Sequence, residues 1–93
     1  MSVAGCVSIR NHCLRVMRET ARAAGYSIRQ NARGDWLCRS RGRQHGIIVV
    51  IPSEFSPCAL VPIATRHYGY PELERVRGAM CDALIAAGLL EAA

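Results

Sequence analysis

The residues of this chain best equipped for chemistry are its arginines. All twelve basic residues are Arg and none is Lys, against seven acids, giving a formal net charge of +5. Each guanidinium is a permanently charged planar fork of donors that matches phosphate or carboxylate oxygens and stacks on bases or aromatic rings. Their placement is uneven. From Arg10 to Arg43 nine Arg stand against only Glu19 and Asp35, whereas beyond Arg43 three Arg stand against five acids. A basic front half and an acidic back half imply a polyanion-binding surface or a self-complementary homodimer.

Two sets of arginines have a spacing that lines them up. Arg15, Arg18 and Arg22 fall on one stripe at the helical step of about 100° per residue, with Glu19 beside them. In Arg39-Ser40-Arg41-Gly42-Arg43-Gln44-His45, an extended backbone puts Arg39, Arg41, Arg43 and His45 on one side, in a row suited to successive phosphates. Arg66, His67 and Tyr68 form a further polar and aromatic group on a loop, where binding residues often sit. The three histidines, His12, His45 and His67, are too dispersed to give ligand spacing on one element, so neither a metal nor another cofactor is expected. Nucleophilic catalysis requires Cys38, Cys58 or Ser53 to meet one of them in space, and no catalytic residue is assigned.

The elements that must position these groups are legible from periodicity. With 93 residues, 51% of them hydrophobic, the chain is a single domain, 1–93, with one core. Gly46-Ile47-Ile48-Val49-Val50-Ile51-Pro52 reads as a strand buried on both faces, since five consecutive β-branched residues leave no polar side for water. Residues 1–7 read as a flexible arm. Ser8 then caps a helix whose apolar positions are Ile9, Cys13, Val16, Met17, Thr20 and Ala24, ended by Gly25. Alternation over Tyr26–Gln30 and Trp36–Arg39, joined by Asn31-Ala32-Arg33-Gly34, predicts a hairpin. Residues 52–70 form a long Pro-broken loop in which Leu60–Ile63 suits a short edge strand, because Pro62 excludes a central one.

A second helix opens at Pro71 and runs to Gly88, burying Leu73, Val76, Met80, Ala83, Leu84 and Ala87, with Leu89-Leu90 folding back over its last turn. Its interior Gly78 suggests close packing against a neighbour. The expected fold is α+β, a two-layer sandwich in the order α-β-β-β-loop-α, with an antiparallel sheet and both helices on one face. The other face is exposed or shared with a partner. Five singly spaced cysteines, with no Cys-x-x-Cys pair, read as buried reduced thiols, and no stretch approaches the length of a membrane span. A cytoplasmic protein is the expectation.

Ala24-Gly25-Tyr26, Arg29-Gln30, Gly34, Val50-Ile51-Pro52 and Leu84-Ile85-Ala86-Ala87-Gly88-Leu89 together resemble the HicA toxins across roughly residues 14 to 90. The resemblance implies a fold of the double-stranded-RNA-binding type and an RNA-cleaving activity. This chain departs from it at Gly34-Asp35-Trp36, where the family has Gly followed by Ser and a catalytic His.

Three functions are therefore expected in order. The first is a non-enzymatic binding protein whose arginines contact the backbone of RNA or DNA. The second is an inhibitor or adaptor of phage or mobile-element type that docks an acidic surface of another protein. The third is a HicA-like ribonuclease working through His45 or His67.

Overall fold

The computed structural model describes residues 3–40, 47–54, 58–64 and 70–91. The order is α1 (Val3–Ala23), β1 (Tyr26–Gln30), β2 (Trp36–Ser40), β3 (Ile48–Pro52), β4 (Leu60–Ala64) and α2 (Tyr70–Ala86). The strands form one antiparallel sheet in the order β1-β2-β3-β4, with both helices over one of its faces. This is the expected α+β two-layer sandwich. The edge strand expected within 52–70 is present as β4, and Pro62 is tolerated there because β4 is paired on one side only.

Each junction has a local cause. Gly25 (φ +82°) leaves α1 in the left-handed conformation that residues with a Cβ avoid. In the β1–β2 turn the Asn31 side-chain oxygen accepts from the backbone N–H groups of Arg33 and Asp35, both at 2.9 Å, and Gly34 adopts φ +90°. At the end of α2, Leu89 N–H donates to Leu84 C=O and Gly88 N–H to Ile85 C=O, the paired bonds of a Schellman cap. That cap folds Leu89 and Leu90 back onto the core, as expected.

The core lies between the layers. Cys13, Leu14, Met17 and Ala21 of α1 and Leu73, Val76, Met80 and Leu84 of α2 meet Tyr26, Ile28, Cys38, Ile48, Val50 and Leu60 from the sheet. Tyr26 is buried, its hydroxyl has no hydrogen-bond partner among the described residues, and burial first, then the nearby Glu72 carboxylate, pushes its pKa up. Burial pushes the Cys38 thiol from 9.0 up to about 12. The folded state therefore keeps a proton that the unfolded chain releases near pH 9, so the stabilisation is complete below pH 9 and is lost as pH rises towards 12. Urea unfolding of the wild type is expected to show lower stability at pH 10 than at pH 8, and Cys38→Ala to reduce that fall by roughly 1 kcal/mol, the raised Cys81 and Tyr26 supplying the rest.

Four expectations are corrected. Helix α1 begins at Val3, so most of the stretch read as a flexible arm is helical and Ser8 lies inside the helix rather than capping it. Strand β3 is not buried on both faces: Ile48 and Val50 are buried, but Val49 is half-exposed and Ile51 is 36% exposed, because no layer covers that side. The cysteines are not all reduced, since Cys6 and Cys58 form a disulfide with Cα atoms 4.6 Å apart, leaving Cys13, Cys38 and Cys81 free. Gly78 packs against nothing, as a Cβ added there meets no atom within 4 Å. Gly78→Ala is accordingly expected to raise stability by about 1 kcal/mol, seen as a higher urea midpoint at unchanged slope.

Candidate nucleic-acid interface

Helix α1 buries Cys13, Leu14, Met17 and Ala21, which forces the residues between them outward. Arg15, Arg18 and Arg22 are exposed on that outer side over about 10 Å of helix axis, with Glu19 among them. Among the described residues none of the three arginines forms an ion pair, and Glu19 offsets only one of their three charges. Arg77 of α2 differs: its Nη2 lies 2.8 Å from Glu74 Oε2, and its Nη1 reaches the Cys81 sulfur at 3.5 Å. Burial raises the Cys81 pKa, and the Arg77 guanidinium opposes that shift.

Arg18 is also held from below. Its guanidinium carbon stands 5.1 Å from the centroid of the Trp36 ring, a cation–π distance. Trp36 sits at the start of β2 opposite Gln30 and Val50, packed against the core and only partly accessible. The partly open cavity beside it measures about 420 Å³ and lies between the first half of α1 and the far end of the sheet. Arg10, Asn11 and Leu14 line it from the helix, and Gln30, Trp36 and Leu60 from the sheet. It therefore combines a mixed polar and apolar lining with an aromatic wall, at one end of the arginine stripe.

Arg39, the described member of the other expected basic row, does not join this surface. Cys38 points into the core, so alternation sends Arg39 to the opposite side of the sheet, where Arg29, Ser27 and Leu37 border a shallow hollow of about 210 Å³. Arg39 and the α1 stripe thus lie on opposite faces of the sandwich. Arg41, Arg43, His45, Arg66, His67 and Tyr68 lie outside the described residues. His12 lies half-buried within α1. Among the described residues no group of three or more His, Cys, Asp or Glu could hold a metal ion.

Sequence reasoning gave Trp36 and Arg29 no binding role. Their signal was available, because Trp36 shares its phase with inward Cys38 and Arg29 is the outward neighbour of inward Ile28. No helix among the described residues is long and apolar enough to cross a membrane. No family model, curated protein or solved structure matches this chain.

Proposed function

We propose that this protein is a small, non-enzymatic nucleic-acid-binding protein that grips the sugar-phosphate backbone through Arg15, Arg18 and Arg22. The observation that carries the reading is a stripe of exposed arginines that form no ion pair among the described residues, one of which is stacked on a partly accessible tryptophan. Backbone contacts of this kind supply affinity without sequence preference. Trp36 and the cavity beside it add a surface on which an unpaired base can stack. No step of RNA cleavage is assigned, since His45 and His67, the residues expected to carry it, lie outside the described residues.

A cytoplasmic location is part of this proposal, as the compartment in which a nucleic-acid partner is met. The Cys6–Cys58 bond weighs against that location, since disulfides are rare in reducing compartments and only Cys58 of the pair is buried, Cys6 being half-buried. The direct test is filter retention of labelled single-stranded and duplex RNA and DNA at low salt. Retention that falls steeply as salt rises is the expected result, and no retention of any of the four ends the reading.

A further inference from the structure

The sheet face turned away from the helices carries a second binding surface, separate from the arginine stripe. Residues directly opposite one another across a sheet share a face, so the register defines this surface row by row. Arg29 faces Leu37, Leu37 faces Val49 and Val49 faces Ile63, a continuous row across all four strands. Ile51 faces Val61 in the row towards the β3–β4 connection, and Ser27 faces Arg39 on the other side. Ile63 is 47% and Ile51 36% exposed, Leu37, Val49 and Val61 are partly exposed, and Arg29 and Arg39 are exposed. An aliphatic field on β2–β4 thus adjoins a pair of arginines on β1 and β2. Isolated apolar side chains are ordinary on a protein surface, but five contiguous ones on a single face mark an interaction site.

Size and charge together select the occupant. Four strands about 4.8 Å apart and five residues long present a face of roughly 19 by 16 Å, small for the interface of a stable dimer and wide enough for one docked helix. Symmetry also argues against a second copy of this chain. In an aligned face-to-face dimer, a two-fold axis along the strands lays Arg29 and Arg39 over the partner's β4 aliphatics, and one across the strands lays them over the partner's arginines. Both arrangements bury guanidinium groups without counter-charges. A helix, by contrast, is about 10 Å wide, and about 12 residues of it span the sheet. We infer that the outer sheet face docks an amphipathic helix of another protein, with its aliphatic stripe on Leu37, Val49, Ile51, Val61 and Ile63 and an acidic flank against Arg29 and Arg39.

The test is selection of peptides from a displayed library of random helix-forming sequences on the intact, oxidised protein. Enriched sequences are expected to repeat aliphatic residues at helical spacing with Asp or Glu along one flank. Their affinity is expected to drop at least tenfold with Ile63→Asp, and likewise with Arg29→Glu combined with Arg39→Glu. The arginine variant alters only exposed side chains, so its loss of binding is readable even if Ile63→Asp impairs folding. Nucleic-acid retention at low salt should survive both variants, which separates failure here from failure of the nucleic-acid reading. Enriched sequences without acidic residues, no enrichment, or binding indifferent to both variants overturns the inference. Self-association in sedimentation that Ile63→Asp abolishes also overturns it, in favour of a second copy.

Discussion

Replacing both Cys6 and Cys58 with Ala is expected to cost about 4 kcal/mol of stability. The two residues are 52 apart in sequence, and tying them together removes from the unfolded ensemble the conformations of a loop that long, which the chain-entropy relation converts to about 4 kcal/mol. A domain of this size holds in total about 5–14 kcal/mol, so the change removes a large share of it and lowers the midpoint of thermal unfolding by roughly 15–30 °C. The effect is also local. Val7 and Ser8 are exposed and Cys6 is only half-buried, so the first turn of α1 has little packing of its own before Ile9 meets the core. Amide exchange should accelerate there first, and with it the cavity wall formed by Val7 and Arg10 loosens. The bond is checked by counting thiols in denaturant: three without reductant and five after reduction. Five thiols from unreduced protein, or an unchanged melting point in the double variant, refutes the prediction.

That disulfide is also the feature least visible in the sequence. The odd number of cysteines, each isolated from the others, gives no pairing, and only the fold brings the first turn of α1 beside the entry to β4. The same blindness placed the start of the helix at Ser8, because Val3-Ala4-Gly5-Cys6-Val7 has a composition that suits an arm as well as a helix. What anchors it is a contact with Cys58, far along the chain. The strands were more legible, since Tyr26, Ile28 and Cys38 alternate with polar neighbours and Gly34 marks their turn. Strand β3 misled for a physical reason. A run of five β-branched residues has the same pattern whether both faces are covered or one is left open, and here Val49 and Ile51 face the open side.

The candidate interface was half legible. Helical periodicity located Arg15, Arg18 and Arg22 correctly on the outer side of α1, because it follows from the phase of Cys13, Leu14 and Met17. Joining them to Arg39 failed because alternation within a strand says which side chains agree with one another, not which face the helices cover. Buried Cys38 settles that question and turns Arg39 away. The consequence is that Arg39 and the α1 arginines lie on opposite faces and cannot form one patch.

The second large effect follows from this division. Combining Arg15→Ala, Arg18→Ala and Arg22→Ala is expected to lower the salt slope of nucleic-acid binding by about 2.7 for duplex and about 2.1 for single strands, at one phosphate contact per arginine. At 0.1 M salt these slopes correspond to roughly 500-fold and 130-fold weaker binding. The three side chains are exposed, so the fold should be unaffected. Arg39→Ala supplies the control, because its side chain lies on the opposite face and should leave the slope unchanged. An equal fall in slope with Arg39→Ala contradicts the assignment of the interface to α1, and an unchanged slope in the triple variant refutes it. Trp36→Ala then distinguishes the nucleic-acid form. If a base stacks beside Arg18, single-strand affinity falls by about 1–3 kcal/mol while duplex affinity holds, since paired bases are not available to the ring. As Trp36 is the sole tryptophan of the chain, quenching of its fluorescence by single strands but not by duplex reads the same distinction in the unmodified protein.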